Sequence, residues 1–444
     1  MDPATLLDAL PLHLSSWRAE LVVAVAALLA LLVDQERPRT RWLVCLAGLA
    51  VALGLALPPW PADAMRALGP HLLIDPLSVA ARLVVLLLAL VTVAHWPAGR
   101  GSAAPFLLVA VLGLLVMVEA ATLTALLLGC ALAGLGAVLV RRSLGDRVAA
   151  VQGLVTLGFA LAAFGGVFWC GLGGSVDLAA ARGGLAARPL LPALAVPLVL
   201  GLLVLGLALA CLAPLRRDGS RLQALWGPWF AGAPLLALVA VPSRLLLPMP
   251  QVPTLAAVPA VWLALGGLLA VGGFTAALGQ TDPRQRLLAA APGQLGLGWL
   301  GFAVIVPDDA PRAATAGLLL AVVAQAAALM LWARAAPGVA RRAGLTVALL
   351  GLAAVPPLVV WRPRFAMLES LLADDQLVAC GLVSLATLLG FVVYLQPLIA
   401  LWRGVETVAD GPDTNPAGQV LAWLLLGCAV AWGLGLVPAW QVAG

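Results

Sequence analysis

The 444-residue sequence contains no lysine, so every one of its 25 Lys and Arg residues is an arginine. A lysine buried between helices can lose its charge near neutral pH and pass on a proton, whereas arginine stays protonated. Proton relay through buried lysines is therefore excluded. Charge of both signs is scarce, since 10% of the residues are charged and 63% are hydrophobic. A soluble domain has about 25% charged residues, so this composition indicates an integral membrane protein.

Residues typical of enzyme sites are also few. The six cysteines stand singly in apolar runs, and the three histidines fall at the ends of such runs without an i, i+4 partner. This spacing predicts neither a metal nor a haem site. We find no phosphate-binding glycine loop and no grouping of nucleophile, base and orienting residue. The sequence therefore predicts no catalytic residue, no cofactor and no metal. The dispersed arginines predict no nucleic-acid partner.

Long apolar runs fill nearly the whole chain. A helix needs about 20 residues to cross the hydrocarbon layer, and runs such as LVVAVAALLALLV are apolar on every face, unlike the alternating strands of a barrel. We therefore predict an all-α polytopic membrane protein with about fourteen transmembrane helices. They are expected near residues 18–33, 42–58, 76–97, 104–118, 120–140, 148–172, 192–213, 230–247, 254–278, 292–306, 313–335, 342–361, 376–399 and 418–441.

Arginines in the connections predict the orientation of these helices. The connections after odd-numbered spans contain most of them, among them Arg37, Arg39, Arg141, Arg142 and Arg403. Loops rich in arginine tend to stay in the cytoplasm. Both termini are therefore expected on the outer side of the membrane.

Six motifs occur in order along these spans. They are ELVVAVAALLALLVD, IDPLSVAARLVVLLLALV, GGSVDLAAA, WGPWFAGAPLLALVAVPSR, LGQTDPRQRLLAAAPGQLGLGWLGF and LAAVPPLVVWRPRF. On these motifs the chain resembles, over nearly its whole length, the antiporter-like membrane subunits of respiratory complex I and of Mrp-type cation antiporters. The most similar type is subunit N of NADH-quinone oxidoreductase.

The resemblance implies two inverted five-helix repeats, with the seventh and twelfth helices broken at the middle of the membrane. It divides the chain into a three-helix segment at 1–103, a first repeat at 104–250, a second repeat at 251–403 and a C-terminal helix at 404–444. Prolines support the two breaks, because a proline inside a helix removes a backbone hydrogen bond. Pro214 lies in the seventh run, and Pro356 and Pro357 lie in the twelfth.

Proton-pumping members of this family have an axis of charged residues, and the resemblance assigns its positions here. The glutamate of the fifth helix falls at Ala131, and the lysine of the seventh at Leu209 or Ala210. The other positions fall at Gln152, at Ser243 with Arg244 beside it, at Gln294 and at Arg364. Most ionisable residues of the axis are thus substituted, which predicts a degenerate proton path.

Two interpretations of Arg364 stay open at this point. Its guanidinium could neutralise carbonyls freed by the break or pair with Glu369. Alternatively, the helix ends near Trp361, and Arg362 and Arg364 both extend to the outer interface. Arginine is not a proton carrier in either case.

Three more polar residues can be placed. Glu119, in VMVEAATLT, is either a relocated acid inside the bilayer or, as the resemblance favours, a solvated residue of an outer turn. Tyr394, the only tyrosine, is expected to pack or cap at the membrane interface. Asp75 is predicted to cap the third helix, with Pro76 at its first position.

The resemblance leaves two classes of function. The favoured one is a structural or degenerate subunit of an NADH-quinone oxidoreductase-type or membrane hydrogenase-type complex, beside sibling antiporter-like and small membrane subunits in the bilayer of the bacterial inner membrane. The alternative is a proton- or cation-translocating secondary transporter of the Mrp type, alone or paired. Coupled transport needs titratable groups at the middle of the membrane, and the assigned positions provide few.

Overall fold

The computed structural model describes residues 17–34, 36–57, 65–68, 70–145, 148–187, 195–215, 227, 229, 231–246, 258–303, 309–332, 339–403 and 416–434. The protein is an all-α polytopic membrane protein with one short β hairpin. Within these described ranges, nine helices are long and apolar enough to cross a membrane.

The first half of the chain consists of helices and one short β hairpin within the described residues. The helices are α1 (Arg18–Leu32), α2 (Pro38–Ala56), α3 (Pro76–His95), α4 (Ala104–Glu119), α5 (Leu123–Ser143), α6 (Ala149–Gly173), α7 (Leu178–Ala186), α8 (Ala195–Leu212) and α9 (Ala233–Leu246). The hairpin strands are β1 (Met65–Ala67) and β2 (Leu72–Ile74), and they pair antiparallel. Short 3-10 helices span Ala98–Ala103 and Ala213–Leu215.

The described residues of the second half are also mainly helical. Its helices are α10 (Val258–Leu278), α11 (Pro283–Ala289), α12 (Ala291–Leu300), α13 (Asp309–Trp332), α14 (Val339–Leu352), α15 (Trp361–Ala373), α16 (Leu377–Arg403) and α17 (Pro416–Gly433). Each apolar run of the sequence therefore contains a helix. The division of the chain into four segments and the inverted relation of the repeats stay predictions.

The twelfth apolar run is interrupted, as its prolines predict. Helix α14 ends at Leu352 and α15 begins at Trp361, with Pro356 and Pro357 in the segment between them. Proline has no backbone N–H to donate, and Ala354 in the same segment has a left-handed φ of 57°. In the seventh run, α8 ends at Leu212, and Pro214 lies in the 3-10 turn that follows.

Close helix contacts depend on small residues. A Cβ added to Gly158 of α6 would lie 2.4 Å from the backbone nitrogen of Ala210 in α8, and one added to Gly296 of α12 would lie 2.1 Å from that of Ala270 in α10. Helix backbones can approach so closely only where side chains are small. These small residues therefore allow α6 to pack closely against α8, and α10 against α12.

The β hairpin covers the end of the helix bundle at which α3 begins and α4 ends. Leu72 of the hairpin forms a bridge with Ala120, and Thr122 forms one with Asp177. Arg66 Nη1 lies 2.7 Å from Asp177 Oδ2. Burial raises the pKa of Asp177, but the Ala180 N–H and the Arg66 guanidinium outweigh it, so the pKa lies below its usual range. At the start of α3, Asp75 accepts from Ser78 N and donates its own N–H to Ser78 Oγ, each at 2.8 Å, which confirms the predicted cap.

Candidate functional site

Arg364, Gln294 and Tyr394 form a hydrogen-bonded chain inside the second half, which we call the Arg364 triad. Arg364 Nη2 donates to Gln294 Oε1 at 2.8 Å, and Gln294 Nε2 donates to Tyr394 Oη at 2.7 Å. The three side chains come from α15, α12 and α16, and none is more than 6% exposed. One amide thus joins a cation to a phenol in a site shielded from water.

The helix break explains how an arginine reaches this position. Because α15 begins only at Trp361, Arg364 lies in its first turn and points inward, while Arg362, about 200° away around the helix, is exposed. The opposite end of the triad is held by packing, since the Tyr394 ring meets the Phe274 ring edge to face with centroids 6.3 Å apart.

Arg364 has neutral neighbours within the described part of the chain. Its Nη1 is buried there without a hydrogen-bond partner. Beside it lies a small cavity of about 10 Å³, lined by Gln294, Leu297, Gly298, Ala313, Ala314, Gly317, Leu318, Val360, Pro363, Arg364 and Met367. The cation is therefore held by dipoles, with no described carboxylate in an ion pair with it.

Three sequence-based expectations about this region need correction. The suggested pair of Arg364 with Glu369 is not formed, because Glu369 is exposed and lies five positions further along α15, about 140° around the helix. Arg362 is exposed, as the interface interpretation expects, but Arg364 is not. Tyr394, expected at the membrane interface, is fully buried and accepts the hydrogen bond of Gln294.

The corresponding place in the first half is apolar. Ala210 is buried and Leu209 half-buried on α8, whereas Ala131 and Gln152 lie on the surface of the chain. A small cavity of about 10 Å³ is lined by Leu114, Ala133, Ala137, Ala210, Cys211, Pro214, Trp229 and Pro234. Of Ala131, Gln152 and Ala210, only Ala210 lines this cavity. The side chains of Ser243 and Arg244 lie outside the described residues.

At the predicted break of the first half, a carbonyl is bound by a different arginine. Arg141 of α5 is fully buried, and its Nη1 donates to the Pro214 carbonyl at 3.1 Å. A carbonyl at a helix end inside a membrane needs a donor from the protein or from water. Arg141 thus fulfils here the carbonyl-binding role that the sequence suggested for Arg364.

A second polar group, which we call the acid cluster, consists of Glu20, Arg82 and Glu119. Arg82 Nη1 lies 3.4 Å from Glu20 Oε1, and Arg82 Nη2 lies 3.0 Å from Glu119 Oε1. Both glutamate side chains are 0% exposed and that of Arg82 is 7% exposed. The favoured prediction that Glu119 is solvated is therefore wrong, because α4 continues through Glu119 and turns its carboxylate toward α1 and α3.

The sequence contains a signal for the acid cluster. Glu20 and Arg82 both lie inside apolar runs predicted to cross the membrane, where ionisable residues are costly and normally have a partner. Two charges of opposite sign, in the first and third spans, could have been predicted to pair.

Comparisons with known proteins agree with this architecture. No family model matches the chain, and no curated protein matches it. A chain in a structure of respiratory complex I from Thermus thermophilus has a TM-score of 0.77 and 22% identity, covering 96% of this chain and 100% of that one. A chain of the Mrp complex from Dietzia sp. DQ12-45-1b has a TM-score of 0.74 and 18% identity, covering 97% and 96%.

A third similar structure is the archaeal membrane-bound sulfane sulfur reductase. Its chain has a TM-score of 0.73 and 14% identity, covering 97% of this chain and 96% of that one. Likeness at such identities establishes the fold. Over nearly its whole length the chain therefore has the fold of these chains from respiratory complex I, the Mrp complex and the membrane-bound sulfane sulfur reductase.

Proposed function

We propose that this protein is a membrane subunit of a multi-subunit energy-converting complex, in which it supplies helix surface and does not pass protons along a central axis. The observation behind this proposal is the chemistry of the two centres. The first-half centre is lined by apolar and thiol side chains, and the second-half centre has an arginine bound to a neutral amide.

Proton transfer along an axis needs groups that gain and lose a proton in turn. Arginine stays protonated, and a glutamine amide does not titrate. A water chain through the first half would also need polar walls, whereas Leu114, Ala133, Ala210 and Trp229 present mainly hydrocarbon. These centres therefore favour a subunit with a degenerate proton path over a secondary transporter.

Exposed apolar side chains on several helices support assembly with other membrane proteins or lipid. Examples are Leu32 on α1 at 74% exposure, Val167 on α6 at 60% and Leu388 on α16 at 65%. Large apolar surface of this kind must be covered by lipid tails or by neighbouring helices. We propose sibling antiporter-like and small membrane subunits as the neighbours, in a bacterial inner membrane.

Purification in mild detergent tests the assembly. A tag at either terminus should recover the chain with other membrane subunits, identified by mass spectrometry. Recovery of a well-behaved isolated chain that exchanges cations in liposomes would contradict the proposal and support the transporter alternative.

The proton stoichiometry of the reconstituted complex tests the degenerate path. We expect Arg364→Gln to leave the proton-to-electron ratio unchanged in correctly assembled complex, because the residue does not cycle its charge. Glu36→Gln, on an exposed side chain, is the matched control. A ratio that falls only in the Arg364 variant would show that this chain pumps.

Reporter fusions test the proposed orientation. A reporter after Gly444 should lie outside the cytoplasm, and one inserted at Gly145, between α5 and α6, should lie inside it. The reverse result would contradict the assignment of the arginine-rich connections.

A further inference from the structure

The cavity beside the Arg364 triad is small, and its walls contain one charged side chain. Arg364 and Gln294 are the polar residues among those that line it, and the others are aliphatic residues, glycines and Met367. Its volume of about 10 Å³ admits a guest about as large as one water molecule. The cavity therefore suits a ligand of a single heavy atom.

The guanidinium of Arg364 has an unused hydrogen-bond donor. Its Nη2 donates to Gln294 Oε1 at 2.8 Å, whereas its Nη1 is buried without a partner within the described part of the chain. Arg364 as a whole is 6% exposed. A buried donor without an acceptor costs free energy, and the cost is larger when the donor is charged. A ligand that accepts a hydrogen bond from Nη1 removes this cost.

The described neighbours of Arg364 do not supply that acceptor. The Gln294 amide is already bonded at both ends, to Arg364 and to Tyr394. Among the described residues, Tyr394 is the only ionisable group with an electrostatic effect on Arg364. The other charged side chains described on α13, α15 and α16 are exposed, namely Arg312, Arg362, Glu369 and Arg403.

We infer that this cavity binds one chloride ion, or another monatomic anion of similar size, through Arg364 Nη1. The ion is a fixed counter-charge for a guanidinium in an interior that excludes water. This inference goes beyond the proposed function, because it needs only the cavity and the guanidinium and holds whether or not the chain passes protons.

An anion fits these walls better than a water molecule does. A buried water makes about three hydrogen bonds and so needs acceptors as well as donors, whereas the walls beyond Arg364 and Gln294 are apolar. An anion only accepts, and its contact with a guanidinium offsets the cost of burying both charges. Phosphate and carboxylate groups have several heavy atoms and exceed the volume of the cavity, while chloride is only slightly larger than water.

The start of α15 adds a second feature that favours an anion. Val360, the residue before the helix, lines the cavity together with Pro363 and Arg364 of the first turn. No side chain caps this helix start, and the first turn of a helix carries a partial positive charge. Pro356 and Pro357 in the preceding break are exposed, so the break gives an ion a short path from the surface of the chain.

Equilibrium dialysis against radioactive chloride tests the inference. The assembled host complex is used, or the isolated chain if it purifies alone. Arg364→Gln should bind one chloride ion fewer than the wild type, because the donor and the positive charge are both lost. Arg362→Gln, on an exposed side chain, should bind as much as the wild type. Equal binding by the wild type and Arg364→Gln would overturn the inference.

A cavity-filling variant keeps Arg364 and removes the space. A Cβ added to Gly317 would lie 3.2 Å from Pro363 Cβ and 3.9 Å from Val360 Cγ1, and all three residues line the cavity. Gly317→Ala should therefore assemble and lose the chloride ion. Gly272→Ala, whose added Cβ meets nothing within 4 Å, should keep it. Unchanged chloride binding in the assembled Gly317 variant would overturn the inference.

Asp309 is tested in the same assay, because it lies one turn before Ala313 on α13 and its side chain is outside the described residues. Asp309→Asn should bind as much chloride as the wild type. A chloride ion that is bound only in Asp309→Asn would overturn the inference, since that carboxylate would then be the partner of Arg364 in the wild type.

Thermal unfolding of the wild type needs no variant. The protein should melt a few degrees higher in sodium chloride or bromide than in sodium gluconate of the same ionic strength, because a ligand that binds only the folded state stabilises it. The difference should be smaller in Arg364→Gln and unchanged in Arg362→Gln. A wild-type melting temperature that is the same in all three salts would overturn the inference.

Discussion

The centres of the two halves differ in where each half places its buried arginine. In the first half, the carbonyl at the helix break is bound by Arg141, and the space around Ala210 and Cys211 is apolar. In the second half, the arginine lies within the centre itself and binds Gln294 and, through it, Tyr394. Both halves therefore hold a buried arginine near a predicted helix break, but only in the second half does that arginine line the cavity at the centre.

The proposed function implies that a chain with this fold does not require a titratable axis. A broken helix needs donors for its freed carbonyls, and an arginine supplies them without changing its charge. The only described cluster of carboxyl groups in ion pairs with a buried arginine lies at the end of the bundle beneath the hairpin. Within the described residues, buried titratable carboxylates are thus separated from the central path.

The largest effect is expected when a charged side chain is introduced into the apolar centre of the first half. Ala210→Lys should abolish assembly, because an amine buried beside Cys211 and Trp229 costs several kcal/mol. The yield of assembled complex is the measurement. Gln152→Lys, on an exposed side chain, should assemble normally. Normal assembly of the Ala210 variant would show that the first centre is hydrated.

The next effect should come from removing the bridge of the polar centre. Gln294→Leu leaves the Arg364 Nη2 and the Tyr394 hydroxyl without their hydrogen bonds, at a cost of about 3 kcal/mol. The apparent melting temperature of the complex in detergent should fall accordingly. Gln294→Glu, which offers Arg364 a carboxylate, should retain more stability than the leucine variant. An unchanged melting temperature for Gln294→Leu would contradict the role of the triad.

A smaller effect is expected when the cation is kept but its shape is changed. Arg364→Lys preserves the positive charge and loses the planar guanidinium that reaches Gln294, so we expect about 1.5 kcal/mol of destabilisation. Thermal unfolding of the purified complex measures it. Arg362→Lys, two residues earlier and exposed, is the matched control and should have no measurable effect.

The smallest effect should follow from removing one hydroxyl. Tyr394→Phe loses the hydrogen bond from Gln294 but keeps the ring packed against Phe274, so the cost should be about 1 kcal/mol. Tyr394→Leu should cost more in the same melting assay because it also loses the ring contact. Equal costs for the two variants would show that packing alone matters at this position.

Much of the fold was predictable because it depends on local properties of the chain. Apolar runs of sufficient length must form helices in a membrane, where every backbone group needs an internal partner. The helix boundaries follow from residues that act nearby, such as Asp75 with Pro76 at the start of α3 and Pro356 with Pro357 between α14 and α15. The absence of lysine also limits the proton chemistry of the chain by composition alone, since no fold can supply a residue type that the chain lacks.

The partners of the buried polar residues were decided only by the tertiary structure. Glu369, close to Arg364 in sequence, lies on another face of α15, whereas Gln294 is 70 residues away and meets it across a helix seam. Likewise, Glu20, Arg82 and Glu119 belong to three helices and meet because α1, α3 and α4 turn these positions toward one another. Sequence by itself determined that this protein is a bundle of membrane helices, since hydrophobicity and backbone chemistry act locally. Which charges meet inside the bundle depends on the rotation and packing of whole helices, and that is a property of the folded chain.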